Sequence, residues 1–169
     1  MKNKMDLSKR IESLEAISAI KDLKFKYWKA CDTKKPITVL KCFHPDKVEI
    51  DFEDFGIFHS AQDMVDKYRM NSCHNHLIEN HSGKNPIINI HDTYSASGMW
   101  SMAYSLVDTK KNIILNISGR YQDLYVKIKN QWLIKETKFI KSTTFYRSIN
   151  NQFFLKIKAN RSFGFKETV

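Results

Sequence analysis

Residues Tyr94–Val107 read YSASGMWSMAYSLV, with Ala96, Gly98, Trp100 and Met102 at every second position. Successive side chains of a strand point to opposite faces, so this period of two is that of a β-strand with two distinct sides. Downstream, Ile113–Lys129 and Gln131–Phe145 keep the same alternation, and Pro86–His91 precedes it. Asp108–Asn112 and Lys129–Gln131 are short polar connections of the kind that join antiparallel neighbours. Upstream the period changes. From Ser8 to about Cys31, Ile11, Leu14, Ile17, Ile20, Leu23 and Tyr27 recur every three or four positions, the stripe of one helical face, with Ser8 as N-cap. Helices first and an antiparallel sheet afterwards give an α+β order.

The segments between are shorter. Ile37–Phe43 reads as a second helix closed by His44, Pro45 and Asp46, and Val48, Ile50 and Phe52 alternate with charged residues as a half-buried strand. Gly56 marks a turn, and Ser60 with Asp63 resembles a capping box that opens a third helix through Met64, Val65 and Tyr68. A His-rich connection, Cys73–Asn85, leads into the strands. One domain over residues 1–146 is expected, with 147–169 as an extension that forms a short helix or a mobile tail.

A chain of 169 residues encloses one substantial core, and 42% hydrophobic residues with 5 Gly and 3 Pro exclude a disordered or collagen-like chain. The net charge of +10 draws anions. Yet the lysines are spread along the chain, in Lys2–Arg10, Lys21–Lys35 and Lys127–Lys141, interleaved with apolar and acidic residues as solvated faces are. Without a nucleic-acid-binding motif the expectation is no nucleic acid partner. Cys31, Cys42 and Cys73 are odd in number and fit no zinc spacing, which points to a reducing compartment. With no apolar run of membrane-span length and no signal-like N-terminus, the expected setting is cytoplasmic, with no membrane partner.

Taken in order, several segments resemble the SnoaL-like branch of the nuclear transport factor 2-like superfamily, which includes scytalone dehydratase and bile-acid 7α-dehydratase. They are Ile11–Asp32; Phe43 to Asp46; His81, Ser82 and Gly83 leading into Asn85, Pro86 and Ile88; Ala96, Gly98 and Trp100; and Gly119, Tyr121 and Tyr125 followed by Trp132 and Ile134. The resemblance covers about Ile11–Phe145. It implies a cone-shaped α+β barrel in which N-terminal helices pack in a strongly curved, mainly antiparallel sheet around a pocket. It also implies a homo-oligomer, dimer or trimer, and a lyase or isomerase that moves protons with neither cofactor nor metal.

The same resemblance assigns site roles. His81 stands at the position of the general base or acid, Tyr27 at that of the oxyanion donor, and Asp32 at that of the residue orienting the imidazole. Lys141 stands where some relatives carry an arginine, keeping the charge but losing the planar fork. These chemistries suit the residue types: histidine titrates near neutrality, and a tyrosine hydroxyl is a better donor than base. Each residue also has an ordinary reading. Tyr27 fits a core tyrosine, Asp32 a helix end, and His81 a polar surface loop. Trp28, Trp100, Tyr104, Tyr121 and Phe139 are the expected walls of an apolar pocket for a ring-containing small molecule. Tyr104 lies where catalytic relatives carry an acid, so that carboxylate is missing, which leaves a non-catalytic small-molecule or peptide binding module as the alternative. His74, His76 and His81 lack the accompanying ligands of a zinc site, and no G-x-S-x-G, GxGxxG or GxxxxGK[ST] motif occurs.

Overall fold

The computed structural model describes residues 6–148 and the backbone of residues 155–159. A 26-residue helix, α1 (Leu7–Asp32), is followed by the short α2 (Pro36–Leu40) with Pro36 in its first turn. Then come β1 (Glu49–Asp51), a 3-10 turn over Glu53–Phe55, β2 (Ile57–Phe58) and α3 (Ala61–Ser72). Four long strands complete the layer: β3 (Leu77–Ile90), β4 (Ser95–Asp108), β5 (Ile113–Ile128) and β6 (Gln131–Ser148), with β7 (Leu155–Ala159) after them.

The sheet runs β2-β1-β6-β5-β4-β3, and β7 pairs antiparallel with the far part of β6, beyond the stretch that β1 occupies. Among the described strands the pairings are antiparallel except β1 with β6, beside which Phe43 makes an isolated parallel bridge to Ile134. The architecture is therefore the expected α+β one, with helices packed on a bent sheet, but the sheet stays open rather than closing into a barrel. Register irregularities at Ser118/Gly119 and Leu124/Tyr125 between β5 and β6, and at Lys84/Ile87 between β3 and β4, bend it. The last of these takes up Pro86, which has no N–H to give a ladder.

Several boundaries differ from the sequence reading. The His-rich stretch is mostly strand, because β3 begins at Leu77, so His81 sits on a paired strand and not in a loop. The N-cap of α1 is Asp6, one turn before Ile11, and its side chain makes no capping bond. Ser60 does cap α3, accepting a hydrogen bond from the Asp63 amide. Where a helix or mobile tail was expected after residue 146, residues 155–159 are a strand, while Phe153 and Phe154 lie outside the described residues. The two-residue hairpin at Lys129 and Asn130 has positive φ at both positions, the geometry that matches the twist of the strands it joins.

The core lies between α1 and the sheet. Ile20, Leu23, Tyr27 and Trp28 of α1 meet Trp100, Met102, Tyr121, Tyr125 and Ile134 of the strands. Only the C-terminal half of the helical stripe is used this way; Ile11 and Leu14 remain exposed. Among the described residues, no helix is long and apolar enough to cross a membrane.

The core also encloses an ion pair. Lys24, read from sequence as part of a solvated basic stretch, is wholly buried, its Nζ 2.8 and 2.9 Å from the two carboxylate oxygens of Asp123. Asp123 also accepts hydrogen bonds from the hydroxyls of Thr137 and Tyr125, both at 2.6 Å, and Tyr125 accepts one from the Trp100 indole at 2.9 Å. The lysine stands four residues after Ile20 and four before Trp28, on the same buried row of α1, and its Nζ lies 3.9 Å from the centre of the Tyr121 ring.

Candidate active site

The C-terminal end of α1 positions the first carboxylate. Lys34 follows the helix with φ of 54°, the left-handed conformation, while the amides of Lys34 and Lys35 donate back to the carbonyls of Cys31 and Ala30. This is a Schellman closure with lysine where glycine is usual, a choice that costs roughly 1–2 kcal/mol of backbone strain. Tyr68 of α3 fixes the same turn by donating its hydroxyl to the Cys31 carbonyl at 2.7 Å. Asp32, the last residue of α1, is thereby held against β3.

There it meets His81. Asp32 Oδ1 lies 2.6 Å from His81 Nδ1, and both carboxylate oxygens accept from the His81 backbone amide at 3.1 Å. An ionised carboxylate only accepts, so the ring's proton belongs on Nδ1 and its Nε2 carries the lone pair. The His81 side chain is 12% exposed and that of Asp32 18%, a pair screened from solvent yet reachable. The Tyr104 ring packs against the imidazole at a tilt of 57°, with 4.7 Å between centroids.

His81 opens onto a cavity of about 410 Å³. Apolar walls come from Val39, Phe52, Phe55, Met64, Met102 and Ile117, and polar groups from Tyr27, Glu79, His81, Tyr104 and Lys141, with Asp54, Asn71 and Ser72 beside them. Most of the sequence-derived site residues are thus gathered around one space. Tyr27 lines it with its ring edge-on to Phe43 and its hydroxyl beside the Cys31 thiol; burial pushes that hydroxyl well above the ordinary tyrosine range, keeping it a proton donor. Burial likewise raises the Tyr104 and Tyr121 hydroxyls. Tyr121 and Phe139 form one wall, their rings 4.7 Å apart.

Three expectations change. Trp28 and Trp100 do not line the cavity; they pack edge to face at 5.2 Å in the core behind it, where the size of an indole fills the gap between α1 and β4. Lys141 is in the cavity wall, but its charge is already engaged, 2.5 Å from Asp54 and 3.4 Å from Glu53 on the 3-10 turn. A carboxylate does reach Tyr104 from the neighbouring strand: Tyr104 donates its hydroxyl to Glu79 at 2.7 Å, and Glu79 is ion-paired with Lys34. Glu79 was legible only as the residue two before His81, which on a strand means the same face. His74 and His76 stack on each other at 5.3 Å outside the cavity, and among the described residues no three His, Cys, Asp or Glu side chains converge as a metal site would need.

Helices laid on a bent, open sheet around a side cavity are the cone-like α+β fold of the nuclear transport factor 2-like superfamily, and His81, backed by Asp32, faces that cavity. Within that superfamily, the chain belongs to the SnoaL-like domain family, whose pattern matches residues 12–138. Solved structures agree in fold. A protein provisionally named scytalone dehydratase, from Novosphingobium aromaticivorans, superposes with a TM-score of 0.74 at 18% identity over 80% of this chain and 89% of its own. The hexachlorocyclohexane dehydrochlorinase LinA gives 0.74 at 15% identity over 86% and 97%. The type-3 form of that enzyme from Novosphingobium barchaimii gives 0.70 at 16% over the same shares. At such identities the likeness is one of fold.

Proposed function

We propose that the chain is a lyase or isomerase that acts without a cofactor on an apolar, ring-containing small molecule, with His81 as the proton-transferring base. The observation that carries the reading is the 2.6 Å contact between Asp32 and His81 Nδ1 at the wall of a mostly apolar cavity. A carboxylate on Nδ1 fixes the tautomer that leaves Nε2 free to accept a proton, and it stabilises the imidazolium formed when it does. Two proteins of like fold, one provisionally named a dehydratase and the other a dehydrochlorinase, support an elimination or a proton shift as the reaction type.

In this scheme His81 Nε2 removes a hydrogen from carbon next to an electron-withdrawing group of the ligand. The electron pair released moves onto the adjoining carbonyl oxygen, where Tyr27 donates a hydrogen bond, or expels a leaving group. The imidazolium then returns the proton at another position or to the departing group. Lys141, held by Asp54 and Glu53, acts as a fixed edge of the cavity rather than as a free cation seeking an anion. That pairing is also what favours the second reading, a binding module that retains a ligand without turning it over.

Proton abstraction is testable before the natural substrate is known. Incubating the protein with a small ring ketone such as 2-tetralone in D2O should give deuterium uptake beside the carbonyl faster than buffer alone, saturating with ketone concentration. Binding of several ring ketones with uptake no faster than buffer would leave the binding module as the surviving account.

A further inference from the structure

The cavity holds a second polar station that the His81–Asp32 pair does not use. Glu79 lines the wall with its side chain only 6% exposed, and Tyr104 and Lys34 converge on it from β4 and from the end of α1. A carboxylate withdrawn from water in an apolar wall is costly unless it is paired. Here Tyr104 donates to Oε1 at 2.7 Å, and the Lys34 ammonium pairs with Oε2. Two partners do not exhaust the roughly four acceptor positions that the oxygens of a carboxylate offer.

The turn at the end of α1 places the cation. Lys34 occupies the left-handed position of the α1 closure, with φ of 54°, where glycine would sit without strain. A glycine there would leave Glu79 without its cation. Leu106 stands opposite Glu79 in the β3–β4 register, and Met102, Leu115 and Ile117 add apolar lining to a cavity that Asn71 and Ser72 also reach. We propose that Glu79, held by Lys34 and Tyr104, is a charged acceptor subsite that binds a hydrogen-bond-donating substituent, a hydroxyl or an amine N–H, on the ring-containing ligand. This rests on the reading of the cavity as a small-molecule site, but not on catalysis by His81.

Selectivity follows from the chemistry. A hydrogen bond to a charged acceptor is among the strong ones, and it is worth most where water is excluded. A ligand with the donor should be preferred to one of the same shape in which a methyl replaces it. Because Glu79 and His81 share one face of β3, two residues apart, the subsite would orient the ring relative to the base, so its loss should lower turnover as well as binding.

The test compares 2-naphthol with 2-methylnaphthalene, their binding followed by calorimetry on the intact chain. The expected result is at least tenfold tighter binding of the naphthol. In the double variant K34M/E79L, which removes both charges together, that preference should fall to about twofold or less while 2-methylnaphthalene binds as before. The milder E79Q, which keeps an acceptor for Tyr104, should lower the preference several-fold and covers the case in which the double variant does not fold. H81A should keep the preference. Equal binding of the two probes by the unaltered protein, or a preference lost in H81A and kept in E79Q, would overturn the assignment. Failure of deuterium uptake from 2-tetralone with the naphthol preference intact would remove the catalytic reading and leave the subsite standing.

Discussion

Replacing Asp123 with alanine should be far more damaging than its place on a strand of an open sheet suggests, because it strands the buried Lys24 ammonium. Breaking a buried ion pair from one side costs about 3–5 kcal/mol. The lysine has one escape, which is to lose its proton. Burial already lowers its proton affinity against the pull of Asp123, and without the carboxylate that lowering goes unopposed. Deprotonating a lysine of ordinary pKa about 10.4 at pH 7 costs roughly 4–5 kcal/mol, at 1.36 kcal/mol per unit, which caps the charge penalty. The Thr137 and Tyr125 hydroxyls lose an acceptor as well, so a total near the top of that range, about 4–5 kcal/mol, is expected. For a domain of this size that is roughly a 10–20 °C fall in Tm.

The sign with pH is fixed too. In the variant the unfolded lysine binds a proton that the folded one has shed, so from pH 7 upward stability relative to the unaltered chain rises, by up to about 1.36 kcal/mol per unit, until the pH at which the unaltered Lys24, whose proton affinity burial also lowers, sheds its own proton. Urea unfolding followed by circular dichroism at pH 7, 8 and 9 measures both effects. K24M/D123L, which removes the two charges together, should recover most of the loss. A loss under about 1 kcal/mol, or a difference from the unaltered chain that is flat with pH, would refute the buried-charge reasoning.

Gly83→Ala places a methyl 2.0 Å from Trp28 Cζ3 and 2.1 Å from Cη2, and the indole is boxed in by Trp100 and Tyr121, so a loss at the upper end of the ~1–3 kcal/mol typical of overpacking is expected in thermal unfolding. Thiol titration should separate the three cysteines: burial raises the Cys42 thiol to about 11 and holds Cys31 well above the ordinary range, so at pH 8 both resist 5,5′-dithiobis(2-nitrobenzoate). The partly exposed Cys73 should react first in the native protein, and all three after denaturation.

Much of this architecture was written in the period of the side chains. The switch from a three-to-four spacing in α1 to strict alternation from β4 onward is a local property, and the polar breaks at 108–112 and 129–131 are local as well. Asp32 and His81 were legible as candidates, but their 2.6 Å contact depends on how the end of α1 lands on β3, a tertiary fact. Trp28 and Trp100 show the limit from the other side. An aromatic residue suits a pocket wall and a core equally, and only the packing distinguishes them. Lys24 and Glu79 were missed because a charged residue is nearly always solvated; each is buried only because a partner distant in sequence comes to meet it.

The central claim, that His81 carries the proton, is tested most directly by deuterium uptake into 2-tetralone with His81→Ala, measured with and without added imidazole. Loss of the base should slow uptake by about 100-fold or more. Free imidazole entering the space left by the side chain should restore part of it. Uptake by the variant at the rate of the unaltered protein would contradict the claim.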